Sequence, residues 1–195
     1  MKNNNIYKKS LYVLLIISIV LGVSGIAAKK YPSIETHYVV PDGRSYGFLT
    51  VEGDVKASRK KVWSVLTRTD GKSICTHTKD VLKFSIKKIK DNTYLAYYLL
   101  DYPWPFKDRW QKLLITHDKE NYKIYWKRVE GTITRNTGYY NLEENERFTT
   151  IYYRVEFDPG LKYIPDTLVN YAVKIQAPNI LKNLRKCVSS EDQLK

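Results

Sequence analysis

The chain has 195 residues, 43 % of them hydrophobic, and carries 33 Lys and Arg against 20 Asp and Glu for a formal net charge of +13. This suits one domain of ordinary size with a real core. The basic residues are dispersed rather than gathered in a tail or a basic helix, which excludes a nucleic-acid-binding signature, and Cys75-Thr76-His77 offers too few close ligands for a metal site.

Residues 1–28 begin with Lys2, Lys8 and Lys9, continue through the apolar stretch Leu11 to Leu21 and end in Gly22-Val23-Ser24-Gly25-Ile26-Ala27-Ala28. Basic region, short apolar core and small residues are the order of a secretory signal, with cleavage expected near Ala27 or Ala28. The alternative is an uncleaved anchor, because Leu11 to Ala28 is 18 residues long, near the lower limit for a membrane span. Both readings imply export, to a periplasm or as a secreted protein. Cleavage removes three lysines and no acid, so the mature domain keeps a charge of +10. Such a domain suits transient contact with an anionic membrane surface, a generally solvated basic face being the alternative.

Residues 29–45 read as a polar leader outside the main sheet, containing Pro32 and the turn Pro41-Asp42-Gly43. A strand follows from Tyr46 to Val55, then a helix capped by Ser58 and running to Leu66, with Val62, Val65 and Leu66 inward and Trp63 at the edge. Strand patterns then recur at Val81 to Lys90, Thr93 to Leu100, Trp110 to His117, Tyr122 to Val129, Thr132 to Leu142 and Phe148 to Phe157. Most of their links are short and polar, which predicts an antiparallel meander. From Ile164 to Lys186 the period becomes helical, with a stripe of Leu168, Ala172 and Ile175, and with Leu181 and Leu184 further on. Pro178 inside this run predicts a kink or a break. The fold class is therefore α+β, a curved antiparallel sheet wrapped around a long C-terminal helix. Cys75 and Cys187 are either bridged or two buried thiols.

The run Asp101-Tyr102-Pro103-Trp104-Pro105-Phe106-Lys107-Asp108-Arg109-Trp110 joins two of these strands. Two prolines make it stiff and withhold two backbone donors, while Trp104 and Phe106 must be tucked onto the core or held at the mouth of a pocket. Arg109 needs a partner, such as Asp108 or Glu156, or a ligand.

The order of elements together with DYPWPFKDRW resembles the START domain, the lipid-transfer domain related to the steroidogenic acute regulatory protein, within the Bet v 1-like SRPBCC helix-grip superfamily. The resemblance spans about Tyr46 to Lys186 and also rests on Gly138-Tyr139-Tyr140, Thr149 to Tyr153, Gly160 to Pro165, Ala177-Pro178 and Leu181 to Arg185. Trp110 departs from it, standing where many members carry a second Asp. The resemblance implies a START-like lipid-binding domain over residues 46–188 with a short tail at 189–195, a hydrophobic tunnel between sheet and helix, and an Arg109 that points toward it.

On this reading the chain is a monomeric, non-enzymatic carrier or sensor of a lipid or other hydrophobic small molecule, without cofactor or metal. Trp104 and Phe106 would rim the opening and Arg109 would orient a polar head. Trp126, Ile151, Tyr153 and Val155 on strands and Leu168, Ala172 and Ile175 on the helix would line the tunnel, simple core packing being the alternative for each. A cyclase or aromatase of the same superfamily is the enzymatic alternative; among His37, His77 and His117 only His77 suggests an acid or base. A membrane-tethered, non-transferring module is the third.

Overall fold

A computed structural model describes residues 33–44, 47–69, 80–102, 106–146, 148–161 and 164–190. Eight strands, β1 (Glu35–Val39), β2 (Phe48–Val55), β3 (Val81–Lys90), β4 (Thr93–Leu100), β5 (Arg109–Asp118), β6 (Lys123–Gly131), β7 (Arg135–Glu144) and β8 (Thr149–Asp158), form one sheet. Its order is β1-β2-β8-β7-β6-β5-β4-β3, and every neighbouring pair is antiparallel. Helix α1 (Arg59–Leu66) connects β2 to the far edge of the sheet, and α2 (Asp166–Ser190) follows the last strand. The arrangement is the α+β helix-grip architecture.

Period-two patterning accounts for the strands. In β2 burial alternates without interruption, so Leu49, Val51 and Val55 enter the core while Thr50, Glu52 and Asp54 are half-buried on the other side. Gly53 continues the inward row: a Cβ there would lie 3.1 Å from Leu181 Cδ1 and 3.3 Å from an Arg185 nitrogen, so its absence lets α2 rest close to the sheet. Arg185 then donates through Nε to the Asp54 carbonyl at 2.8 Å.

The leader departs from expectation. Residues 35–39 are an edge strand of the main sheet, paired from Glu35↔Glu52 to Val39↔Phe48. The Pro41-Asp42-Gly43 turn closes this hairpin: Arg44 N–H donates to the Pro41 carbonyl, and Gly43 takes φ +74°. Tyr38 in this strand hydrogen-bonds Asn170 of α2, tying the added edge to the helix. The expected strand from Thr132 starts instead at Arg135, because residues 132–134 bend between β6 and β7. Gly131, at φ +131°, passes so close to Trp110 that a Cβ would meet its carbonyl oxygen at 2.3 Å.

In α1 the Ser58 side chain accepts from Lys61 N–H as an N-cap, and Trp63 is buried with Val62 and Val65 while Leu66 is only half-buried. Helix α2 runs unbroken through Pro178. Its inward stripe is Ala177, Leu181, Leu184 and Val188, spaced by four, three and four residues. Leu168 and Ile175 are 57 % and 50 % exposed, and Ala172 is exposed too. Continued at helical spacing, their stripe reaches Asn179, Lys182 and Lys186, so burying it would drag polar groups into the core. Cys187 is disulfide-bonded; the sequence holds one other cysteine, Cys75, which lies outside the described residues.

Candidate ligand cavity

A cavity of about 340 Å³ lies between the sheet and the middle of α2. Strand β5 supplies its floor: Gln111, Leu113, Ile115 and His117 share one face by alternation. Val81, Phe84 and Ile86 of β3 and Tyr98 and Leu100 of β4 form one side. Leu49 of β2 and Tyr153, Val155 and Phe157 of β8 form the other, with Ala177 and Ile180 of α2 closing over. Leu66, Arg68 and Gln176 also line it; Arg68 and Gln176 are exposed, so these residues mark the mouth.

One wall is aromatic. The Trp126 and Tyr153 rings stack at 5.6 Å between centroids, and Tyr140 packs against both at 5.3 and 5.0 Å. This cluster needs Gly138, since a Cβ there would come within 2.4 Å of Trp126 Cζ2 and 2.2 Å of the Arg154 carbonyl oxygen. With the position empty, the indole lies across β7 and donates from Nε1 to Asn136 Oδ1 at 2.8 Å.

Asn136 in turn donates from Nδ2 to Gln111 Oε1 at 3.1 Å. These side chains come from β7 and β5, which β6 separates in the sheet. They meet because β6 is irregular there: its register against β5 shifts beside Leu113, and its pairing with β7 stops at Lys127↔Thr137. A short polar chain is thereby set into an otherwise apolar wall, and Gln111 is only 3 % exposed.

Burial shifts three titratable groups that face the cavity. The Tyr98 and Tyr153 phenols are held well above their ordinary range by desolvation, so both remain protonated donors. Desolvation lowers His117 to about 4, leaving a neutral imidazole at pH 7. Its ring sits 4.6 Å from Tyr94 and 6.0 Å, edge-on, from Trp63, an aromatic setting with no acid to favour the cation.

Of the residues expected at the site, Trp126, Tyr153 and Val155 line this cavity. Ile151 is fully buried in the core instead. Leu168, Ala172 and Ile175 face solvent, and Gln176, Ala177 and Ile180 are the helix residues at the cavity. Phe106 is half-buried and is not among the lining residues, while Trp104 lies outside the described residues together with Pro103 and Pro105. Arg109 is not in the lining either: it donates to the Thr132 carbonyl at 2.8 Å and the Gly160 carbonyl at 3.0 Å, clamping two turns at the end of the sheet. Glu156 is taken by Arg44 at 2.7 Å and Arg135 at 3.3 Å. Nearby Tyr102 is pushed up to about 12 by burial, which Arg109 partly offsets.

Sequence reasoning passed over Gln111, Asn136, His117 and Tyr98. A signal for two of them lay in β5, where alternation puts Gln111 and His117 on the same face as Leu113 and Ile115. His77, the weak candidate for an acid or base, lies outside the described residues. Among the described residues no group of three or more His, Cys, Asp or Glu is placed to hold a metal, and no helix is long and apolar enough to cross a membrane.

The chain has a helix-grip fold like that of START-domain structures. Its similarity to a STAR-related lipid transfer protein from Xanthomonas axonopodis covers 83 % of this chain and 96 % of that one, at 21 % identity and a TM-score of 0.69. The structure of human STARD10 is similar over 85 % of this chain and 73 % of its own, at 15 % identity and a TM-score of 0.69. A Streptomyces aromatase/cyclase, Zhui, is similar over 80 % of this chain and 94 % of its own, at 13 % identity and a TM-score of 0.60. No protein-family model and no curated protein matches the sequence.

Proposed function

We propose that the protein is an exported START-like domain that binds a lipid or other hydrophobic ligand in its internal cavity, for lipid transport or sensing. The observation that carries this reading is the cavity: apolar on most sides, walled by stacked aromatic rings and provided with few polar groups. Each methylene moved from water into it contributes about 0.8 kcal/mol, so an alkyl chain or fused ring supplies affinity while the polar chain selects the head. The lipid-transfer name of the Xanthomonas axonopodis protein with this fold agrees with it.

Export rests on the order of residues 1–28, and contact with an anionic membrane on the charge of +10 that remains without them. Exposed Leu168, Tyr171 and Ile175 on α2, with Lys174 beside them, supply an apolar and basic surface for such contact. The test is to purify the protein from its native host, sequence its mature N-terminus and identify co-purified lipid by mass spectrometry. One lipid per chain and transfer of labelled lipid between vesicles are expected; recovery of none, with no transfer, refutes the carrier reading.

One observation favours an enzyme of the cyclase type as the second reading: His117 lies inside the cavity of a fold that Zhui shares. With a pKa near 4 the imidazole is a weak base at neutral pH, which favours binding over proton abstraction.

A further inference from the structure

We propose that the cavity takes its ligand head first, with an uncharged oxygen acceptor, a hydroxyl, carbonyl or ether, hydrogen-bonded to the Gln111 side-chain amide and an apolar body lying along β5 toward His117. This rests on the ligand-binding reading above and names the chemical class of ligand.

The polarity of the amide chain follows from its first member. An indole N–H can only donate, so the Asn136 atom facing Trp126 must be the oxygen. The Asn136 nitrogen is then the atom that faces Gln111, and it requires the Gln111 oxygen as its acceptor. What remains at the end of the chain is the Gln111 Nε2, a donor. The side chain is 3 % exposed and lines the cavity, and among the described residues Nε2 has no partner. Nε2 is not among the buried polar atoms that lack a partner, so this donor faces the open space of the cavity, where a ligand oxygen can accept its proton.

The surroundings decide the charge of the head. Across from Gln111 in the β4 register stands Tyr98, a neutral phenol, and Leu113 and Phe157 add only apolar surface. Arg109 and Arg128 are near in register but spend guanidinium protons on the carbonyls of Thr132, Gly160 and Gly131, and neither lines the cavity. The Arg128 Nε is buried without a partner, outside the lining. Arg68 is the one arginine in the lining, exposed at the mouth. An anionic head at Gln111 would therefore lose its hydration against neutral donors alone, the Gln111 amide and the Tyr98 phenol, whereas a hydroxyl or carbonyl loses far less. From Gln111 to His117 the floor runs about 20 Å, six residues of extended strand. At about 340 Å³ the cavity suits one slim body rather than two chains.

The experiment is a tryptophan-fluorescence titration of the full chain at pH 7.5 with 1-hexadecanol, palmitate and hexadecane, each delivered from cyclodextrin. Hexadecanol is expected to bind roughly tenfold or more tightly than palmitate. Gln111→Leu should weaken hexadecanol about tenfold while leaving hexadecane unchanged, with Gln111→Met as a second variant of similar length should the first fail to fold. Palmitate binding as tightly as hexadecanol or more so, especially if lost in Arg128→Gln or Arg68→Ala, overturns the proposal and leaves the ligand-binding reading standing. So does an equal loss of hexadecanol and hexadecane in Gln111→Leu. Failure of all three probes refutes the ligand-binding reading and this one with it.

Discussion

His117 makes the stability of the fold depend on pH in a direction that can be worked out. Burial against Trp63 and Tyr94 lowers its pKa from the ordinary 6.5 to about 4. Below pH 6.5 the unfolded chain takes up a proton that the folded chain refuses until about pH 4, so acid stabilises the unfolded state. The contribution is thus lost as pH falls from 6.5 toward 4 and changes little below that. The full shift corresponds to about 2 kcal/mol at pH 5 and about 3 kcal/mol at the acid limit. Because the ring faces a cavity open to solvent, screening reduces the value to about 1 kcal/mol at pH 5. The comparison is with H117F, which keeps an aromatic ring between Trp63 and Tyr94 and cannot titrate. Urea unfolding of both proteins from pH 7.5 to pH 4.5 should show the wild type losing about 1–2 kcal/mol relative to the variant. A difference that stays flat, or that moves in favour of the wild type in acid, refutes the buried neutral imidazole.

Gly138→Ala should destabilise by about 2–3 kcal/mol, because the methyl collides with backbone as well as with Trp126; unchanged melting and unchanged indole emission would show that the ring does not need that space. Leu184→Ala, at a position fully buried on the inward stripe of α2, should cost about 2–4 kcal/mol, whereas Leu168→Ala should change stability by no more than about 0.5 kcal/mol. Equal effects in denaturant would mean that the helix presents a different face to the sheet. Arg109→Leu should remove about 1–3 kcal/mol by freeing the Thr132 and Gly160 carbonyls, with ligand affinity nearly unchanged. Lost affinity at constant melting temperature would instead make this guanidinium part of the binding site.

The strands were legible because their information is local. Alternation of apolar and polar residues tells which side chains share a face, and polar links of a few residues leave antiparallel pairing as the accessible outcome, so β3 and β4 have the bounds that the pattern predicts. Edge strand β1 escaped notice because five residues, mostly exposed, carry little periodic signal; their pairing with β2 depends on the turn at Gly43 and on Tyr38 reaching Asn170.

What tertiary structure decided is which faces meet. Helix α2 carries two apolar stripes, one through Leu168, Ala172 and Ile175 and one through Ala177, Leu181, Leu184 and Val188, and no local rule chooses between them. Contact with the sheet does, since the first stripe runs on into Lys182 and Lys186 while the second runs from Ala177 through Leu181 and Leu184 to Val188. The polar chain from Trp126 through Asn136 to Gln111 is likewise non-local: it needs a glycine on β7, an irregularity in β6 and an inward glutamine on β5 to coincide. Sequence periodicity alone therefore determined the strands, the helices and their antiparallel order, while the lining of the cavity and the amide that faces it came from close packing between elements distant in the chain.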